Sequence, residues 1–370
     1  MKKLDQYRGC LIGGAAGDAL GYAVEFHSHS DIICQYGPQG ITEYELCGGV
    51  AEISDDTQMT LFTATGLLTA AASGMAQGIM GGYPSAINYS YGDWYRTQTE
   101  RYPLDGERHY SWLVNVPELF HCQAPGNTCL SAIESPAFGT IEQPINDSKG
   151  CGGVMRVAPI GLYFDGTLCS LEEIDRIGAE AAALTHGHPL GYIPAAALVH
   201  IIHLLVHKGR TLRDAVSDMQ CSIRQQFAQT AYVQDFLEQM DRAVALSQTD
   251  TSDLEAIQQL GEGWVAEETL AIAVYCALKY EDDFDRALIA SVNHSGDSDS
   301  TGAVTGNILG AYLGLEGIPR KYLDNLELRE VILEVAGDLC RECRMTEYGG
   351  SCDGVWDEKY VKMTYKPSKR

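Results

Sequence analysis

The chain has 370 residues, of which 45% are hydrophobic and 21% charged, so it is long enough to form one large domain or two. Its formal net charge of -24, with an isoelectric point near 4.7, opposes binding to DNA or RNA unless a local basic patch overcomes the global field. Twelve scattered cysteines are too few for a disulfide scaffold and are typical of reduced thiols in the cytoplasm. No stretch resembles a signal peptide or approaches the ~18 apolar residues of a membrane span, so we expect a cytoplasmic protein without membrane contact.

Glycines recur at every fourth position in two parts of the chain. They lie at positions 9, 13, 17 and 21 and again at 302, 306, 310 and 314. On helices this spacing makes a ridge without side chains, along which another backbone can approach closely. Glycine destabilises a helix interior by about 0.5–1 kcal/mol relative to alanine, so two such ridges indicate that close packing outweighs helix propensity.

Apolar residues spaced three and four positions apart predict helices in most of the remaining chain. The predicted helices cover 57–73, 172–185, 194–208, 211–227, 233–247, 264–280 and 300–314. Gly, Pro, Asn and Tyr predict loops over 78–128 and 136–153. Because strand-like runs are few and no polar linker divides the chain, the sequence predicts an all-α fold in a single domain over 1–370. The tyrosine-rich segment 83–112 either lines the mouth of a cleft or covers the helical core, and its composition does not decide which.

Two short acidic motifs precede predicted helices. In the segment HSGDSDSTGA, Asp297 and Asp299 come before glycine, alanine and aliphatic residues that look buried. A buried carboxylate pair is costly unless a positive group lies between the two acids, which points to a bound cation. The second motif is Ser54, Asp55 and Asp56, and taken alone it is equally consistent with the N-cap and first turn of a helix.

Taken together, the two motifs offer only oxygen ligands. Ser300 adds a hydroxyl, and Glu25, four residues past the last glycine of the first ridge, is a candidate fifth carboxylate. Oxygen ligands suit Mg²⁺ or Mn²⁺, and this number of carboxylates exceeds what one ion normally takes from a protein. The motifs therefore predict a centre of two divalent metal ions.

Seven segments of the chain occur in the order found in the ADP-ribosylglycohydrolase family, which the sequence resembles over nearly its whole length. The segments are GCLIGGAAGDALGYAVEF, SDDTQM, APGNTCLSA, SKGCGGVMRVAPIG, LTHGHPLGY, GWVAEETLAIAVYC and HSGDSDSTGAVTGNILGAYLG. The resemblance implies a compact all-α fold with two Mg²⁺ or Mn²⁺ ions at the bottom of a cleft. It places the cleft glutamate on Glu25 and the metal ligands on Ser54, Asp55, Asp56, Asp297, Asp299 and Ser300. No ligand is missing, which favours activity over a purely structural role.

A glycine-rich loop is the candidate site for the diphosphate of ADP-ribose. Its residues Gly150, Cys151, Gly152 and Gly153 can present backbone N–H groups to an anion, and the resemblance places this loop at the ligand. Cys151 departs from the family, in which asparagine tends to occupy this position. Arg156, in the same segment, either contacts the ligand or has a structural role.

His186 and Trp264 each have two interpretations. His186 matches a Thr-His block beside the cleft, or it caps the end of a helix. Trp264 matches a block near the nucleoside and can stack on a base, or it is a buried residue at a helix start. Two other clusters are expected to bind no ligand: a histidine stripe on a solvated helix edge (His200, His203 and His207) and three cytosolic thiols (Cys340, Cys343 and Cys352).

The resemblance implies a metal-dependent hydrolase that releases ADP-ribose from a protein side chain, arginine foremost, or from a small molecule. Glu25 is the candidate general acid or base, and the two ions would hold ribose hydroxyls and lower the pKa of a bound water. The expected partner is an ADP-ribosylated protein or an ADP-ribose conjugate, with neither nucleic acid nor membrane involved. Two alternatives are a catalytically idle ADP-ribose-binding or immunity-type protein of the same fold and, more distantly, a metal phosphoesterase. The sequence does not indicate the oligomeric state.

Overall fold

A computed structural model describes residues 4–78, 81–105, 108–346, 348 and 350–367 of the chain. The described residues form sixteen α-helices, numbered α1 to α16 in chain order. Their bounds are Leu4–Tyr22, His29–Tyr36, Asp55–Gln77, Tyr83–Thr99, Asn127–Glu134, Ala158–Tyr163, Leu171–Ala183, Pro189–Lys208, Leu212–Gln226, Val233–Leu246, Asp253–Leu260, Ala266–Lys279, Phe284–Val292, Ser298–Leu313, Arg329–Arg341 and Gly354–Tyr360. Within these residues the backbone forms isolated β-bridges but no strand, which confirms the predicted all-α class.

Helices α1 and α14 pack against each other along the two glycine ridges. A Cβ atom built at Gly9 would lie less than 3.0 Å from the backbone oxygen of Gly310, and one at Gly17 equally close to that of Gly302. Since real side chains do not come that near, only glycine permits this contact. The pairing also shows that the two helices run antiparallel. The end of α1 therefore lies beside the start of α14.

The helices share one contiguous hydrophobic core. By length and composition, α3 and α8 are each apolar enough to cross a membrane, contrary to what we expected from the sequence. In the structure, 83% of the apolar window of α3 and 89% of that of α8 are buried inside the protein. Their side chains pack on neighbouring helices, α3 mainly on α4 and α8 mainly on α7.

The predicted loop over 78–128 is wrong in its first part, because Tyr83–Thr99 forms helix α4. Four of its side chains recur at helical spacing and are buried: Tyr83, Ile87, Tyr91 and Trp94. The indole Nε1 of Trp94 donates to Gln58 Oε1 of α3 at 3.0 Å. The tyrosine-rich segment 83–112 therefore covers the helical core, although Gly106 and Glu107 within it lie outside the described residues.

The histidine stripe on α8 is not a solvated edge, as the sequence had suggested. His200 and His203 are buried and His207 is half-buried, because α7 and α9 cover His200 and the end of α6 covers the other two rings. His200 lies between two carboxylates, with Nδ1 2.8 Å from Asp175 Oδ2 and Nε2 3.1 Å from Asp218 Oδ1. The other two rings bond to backbone carbonyls. These contacts hold α8 to its neighbours.

Candidate active site

The first acidic motif lies at the N-terminus of α3. Ser54 caps this helix, its hydroxyl oxygen accepting from Asp56 N at 3.2 Å, and Asp55 and Asp56 form the first turn. Such residues are favoured here because the first N–H groups of a helix lack intrahelical acceptors. All three side chains are buried. The motif is thus at once a helix cap and a buried group of carboxylates.

Asp18 of α1 holds the first motif in place, a role that was not predicted from the sequence. Its Oδ1 accepts from Ser54 N at 2.9 Å, and its Oδ2 accepts from Thr57 N at 3.0 Å and also from the Thr57 hydroxyl. Asp18 is fully buried. The available signal in the sequence was that Asp18 is a lone acid inside a run of glycine and alanine. An acid buried in such a run needs hydrogen-bond donors from elsewhere in the chain.

The second acidic motif begins α14 in the same way. Asp297 is the N-cap, and its carboxylate and that of Asp299 both accept from Ser300 N, at 3.2 and 2.9 Å. Because α1 runs antiparallel to α14, Glu25 in the turn after α1 reaches this motif. One carboxyl oxygen from each of Glu25, Asp297 and Asp299 lies within 4.8 Å of the other two.

The two motifs meet at Asp299. The Ser54 side chain interacts with its carboxylate, and burial followed by the charge of Asp299 raises the pKa of both Asp55 and Asp56. We therefore describe five side chains together as the acidic cluster: Glu25, Asp55, Asp56, Asp297 and Asp299. Asp56 Oδ2 and Glu25 Oε2 are buried without a hydrogen-bond partner among the described residues. Buried polar atoms nearly always have a partner, so these two oxygens are available to a bound group.

Burial and mutual repulsion disfavour the ionised forms of these acids. Burial, followed by the charges of Asp299 and other carboxylates, raises the pKa of Glu25 to about 10 and that of Asp18 to about 7. The same causes raise the pKa values of Asp55 and Asp56 well above their usual range. A divalent cation would reverse this effect by favouring the ionised carboxylates. The oxygen-only set of donors fits a hard cation such as Mg²⁺ or Mn²⁺.

The glycine-rich loop lies beside the second acidic motif. Cys151 N donates to the Trp264 carbonyl at 3.2 Å, which holds the loop against the start of α12. The Cys151 thiol interacts with the carboxylate of Asp297. Burial and the charge of Asp299 raise the pKa of that carboxyl, and they outweigh the thiol, which lowers it. The Lys149 ammonium pairs with Glu267. The N–H groups of Cys151 and Gly150 and the Lys149 cation are thus engaged within the protein, which leaves the N–H groups of Gly152 and Gly153 as the candidates for binding an anion.

His186 packs against this loop through its side chain. The preceding helix, α7, ends at Ala183 with Leu184 as its C-cap, and the His186 N–H donates to the Ala182 carbonyl of its last turn at 2.9 Å. The backbone of His186 thus helps to end the helix, while its ring faces the loop. The imidazole Nε2 lies 3.3 Å from the positions that a Cβ atom would take at Gly150 and at Gly152. Glycine at these two positions leaves the space that the ring occupies. The loop therefore joins His186 to the acidic cluster.

Trp264 is not buried at its helix start, because 39% of its surface is exposed. Its indole stacks on the ring of Phe26, with the centroids 6.0 Å apart and the planes inclined by 20°. Phe26 directly follows Glu25, is 73% exposed and was not predicted as a site residue. Two exposed aromatic side chains thus lie beside Glu25, where they offer a surface for a flat ligand group.

Two other features lie outside the acidic cluster. Arg156 is fully buried and donates to Ala181 and Thr185, so it does not contact a ligand itself. A surface cavity of about 180 Å³, bordered by Tyr44 and Lys321, is lined by no residue of the acidic cluster.

Comparison with known proteins gives relatives over most of the chain. The ADP-ribosylglycohydrolase family model matches residues 1–349. The chain is 26% identical to the ADP-ribosylhydrolase ARH3 of Homo sapiens, with 88% of this chain and 90% of that protein covered. It is 25% identical to the ADP-ribosyl-[dinitrogen reductase] glycohydrolase of Rhodospirillum rubrum, over 88% of this chain and 91% of that protein. It is 24% identical to the ADP-ribosylarginine hydrolase Tri1 of Serratia proteamaculans, over 91% of this chain and 80% of that protein.

A solved structure described as an ADP-ribosylglycohydrolase-related protein complex has the same fold. Its TM-score is 0.55 at 22% identity, over 91% of this chain and 98% of that chain. The family match extends from the first glycine ridge to beyond the second, and so includes both acidic motifs. The resemblance seen in the sequence is confirmed, and the chain belongs to the ADP-ribosylglycohydrolase family of hydrolases.

Proposed function

We propose that the protein is a divalent-metal-dependent hydrolase that cleaves the bond between ADP-ribose and a protein side chain, arginine first, or a small conjugate. The observation that carries the proposal is the buried group of Glu25, Asp297 and Asp299, whose charge also acts on the acids at the start of α3. Two relatives support the substrate class, since one is named as a hydrolase of ADP-ribosylarginine and another as acting on ADP-ribosylated dinitrogen reductase.

We assign two ions, Mg²⁺ or Mn²⁺, to the acidic cluster. The side chains that would hold them are Ser54, Asp55, Asp56, Asp297, Asp299 and Ser300. When bound, such ions would supply a grip on the ribose hydroxyls and a water of lowered pKa. The unpartnered Asp56 Oδ2 supports this assignment. Because backbone N–H groups and Asp18 already orient the two motifs, the ligand oxygens are positioned by the fold itself.

We assign proton transfer to Glu25. Hydrolysis of an N-glycosidic bond breaks the bond between C1 of the ribose and the leaving nitrogen, joins the oxygen of water to C1 and delivers a proton to that nitrogen. Glu25 Oε2 is buried without a partner, so it is free to take a proton from water or give one to the leaving group. Its closeness to Asp297 and Asp299 makes metal ligation the competing role.

We assign the rest of ADP-ribose to the surfaces around the cluster. The N–H groups of the glycine-rich loop would bind the diphosphate, since an acidic protein needs a local site for an anion. His186 lies against that loop and would add a side-chain donor. The stacked pair of Phe26 and Trp264 would receive a flat group such as the base.

The proposal is tested by incubating the purified protein and Mg²⁺ or Mn²⁺ with ADP-ribosyl-arginine, ADP-ribosyl-serine or O-acetyl-ADP-ribose and measuring released ADP-ribose. We expect release from the arginine conjugate and none after chelation with EDTA. The matched variant is Glu25→Gln, which keeps the shape of the side chain but cannot accept a proton. Its kcat should fall by about 10²–10⁴-fold, while ADP-ribose still binds at saturating metal.

Other results would point elsewhere. If Glu25→Gln loses ADP-ribose binding and metal affinity together, Glu25 is a ligand and not the acid or base. Tight binding of every conjugate without release would indicate an idle ADP-ribose-binding or immunity-type protein. A split diphosphate would indicate a phosphoesterase. The metal assignment is wrong if the wild-type protein supplied with Mn²⁺ shows no bound or titratable ion.

A further inference from the structure

Arg156 places a positive charge in the protein interior without an acid to balance it. The side chain is fully buried, and among the described residues no carboxylate pairs with it. Its Nη2 donates to the Ala181 carbonyl at 3.1 Å and to Thr185 Oγ1 at 2.7 Å, and its Cζ lies 4.4 Å from the centre of the Tyr91 ring. Burying a charge is costly, and here no ion pair offsets the cost.

Thr185 connects this charge to His186, because Thr185 Oγ1 lies 2.8 Å from His186 Nδ1. A hydroxyl has one proton to donate and two acceptor positions. Its oxygen already accepts from the guanidinium, which polarises the hydroxyl toward donating its own proton to Nδ1. The reverse arrangement would direct an Nδ1–H group toward the same positive charge and is disfavoured.

We infer that Arg156 acts through Thr185 as a positioning residue, fixing His186 as the neutral tautomer with its proton on Nε2. A neutral imidazole has one donor and one acceptor nitrogen, so a bond received at Nδ1 leaves Nε2 as the donor. The inference rests on the proposed function, because it makes this Nε2–H a hydrogen-bond donor to an oxygen of ADP-ribose.

The position of Nε2 fits this role. It lies 3.3 Å from the Cβ positions of Gly150 and Gly152, so it faces the part of the loop where side chains are absent. The hydrogen bond to Thr185 engages Nδ1, so Nε2 is the ring nitrogen on the side of the loop. Burial, followed by the charge of Arg156, lowers the pKa of His186 to about 3. The ring therefore stays neutral at physiological pH, and its donor is always the same atom.

The tautomer is measured by long-range ¹H–¹⁵N correlation on the full, ligand-free protein with ¹⁵N-labelled histidine, the His186 signals being identified by their loss in His186→Gln. We expect the pattern of a proton fixed on Nε2. Thr185→Ser, which keeps the hydroxyl, should retain this pattern. Thr185→Val, which keeps the shape but not the hydroxyl, should lose it. Arg156→Met should give a mixture of the two tautomers.

Calorimetry with ADP-ribose at saturating Mg²⁺ supplies the second readout. Binding should weaken about tenfold in Thr185→Val, the size of one lost hydrogen bond, and should be unchanged in Thr185→Ser. Equal melting temperatures of these two variants exclude a folding defect as the cause. A proton on Nδ1 in the wild type, or equal ADP-ribose affinity of the two variants, would overturn the inference. If the wild type binds no ADP-ribose, both the proposed function and the ligand assigned to His186 are wrong. The tautomer measurement still tests, by itself, whether Arg156 acts on His186 through Thr185.

Discussion

Replacing Gly306 of α14 by alanine should force α1 and α14 apart. A Cβ atom at this position would lie less than 3.0 Å from the backbone oxygen of Gly13, whereas ordinary contact begins at 3.4 Å. The atoms in the way belong to the backbone, so no side chain can turn aside to make room. The two helices must then separate by on the order of 1–1.5 Å, and a gap of even about 0.5–1 Å already forfeits a quarter to a half of the dispersion energy of each atom pair across it.

The size of the effect follows from two opposing contributions. Overpacking usually costs about 1–3 kcal/mol, and the upper end applies where backbone meets backbone. Alanine recovers about 0.5–1 kcal/mol of helix propensity relative to glycine. We therefore expect Gly306→Ala to lower the free energy of unfolding by about 2 kcal/mol. Because Glu25 and Asp299 lie at adjacent ends of these helices, metal affinity should fall as well.

Denaturant unfolding of the variants beside the wild type measures this effect. The matched control is Gly92→Ala in α4, where a Cβ atom would meet nothing within 4 Å. That substitution should raise the free energy of unfolding by about 0.5–1 kcal/mol, since only helix propensity changes. If Gly306→Ala is as stable as Gly92→Ala, the two ridges do not touch as described and the reasoning is refuted.

Millimolar Mg²⁺ or Mn²⁺ should raise the melting temperature, because the carboxylates of the acidic cluster repel one another without cations. When the ion is at a hundred times its Kd, the free energy of unfolding should rise by about 2.7 kcal/mol. An unchanged melting curve would argue against the centre. Asp18→Asn should weaken metal binding about 10–100-fold in titration calorimetry, since an amide cannot accept from all the donors that Asp18 orients, and unchanged affinity would remove this role. Burial lowers the pKa of His200, but hydrogen bonds to Asp175 and Asp218 outweigh it and raise this pKa above the usual 6.5. The stability supplied by the charged ring is therefore complete below about pH 6.5 and is lost as the pH rises through the raised value, a decline that unfolding curves should show and that His200→Gln should flatten.

The parts of the site that could be predicted from the sequence leave a local or periodic signal. The glycine ridges show their four-residue period directly, and the pairs Asp55, Asp56 and Asp297, Asp299 stand next to one another in the chain. The helices that follow these acids begin two residues earlier than predicted, because the acids themselves form the first turn. Local chemistry was sufficient for these features.

The features that were missed depend on contacts between distant segments. Helix α4 is built from Tyr, Asn, Ser and Gly, whose low helix propensity is outweighed by burial of Tyr91 and Trp94 against α3. Asp18 carries no neighbouring acid to mark it. Phe26 becomes notable only where Trp264 stacks on it. The contacts that give these three features their roles form only when the chain has folded.

The contact between α1 and α14 also decides when the protein can become an enzyme. Within this contact, Asn307 Nδ2 donates to the Cys10 carbonyl at 2.9 Å across a separation of 297 positions. During synthesis the first helix therefore leaves the ribosome long before the partner that its bare ridge requires. Contacts of such separation form slowly, and partly folded chains wait with apolar surface exposed. The nascent protein has no complete acidic cluster until the start of α14 has been translated, and a chain that terminates before Asp297 would lack the carboxylates of both Asp297 and Asp299.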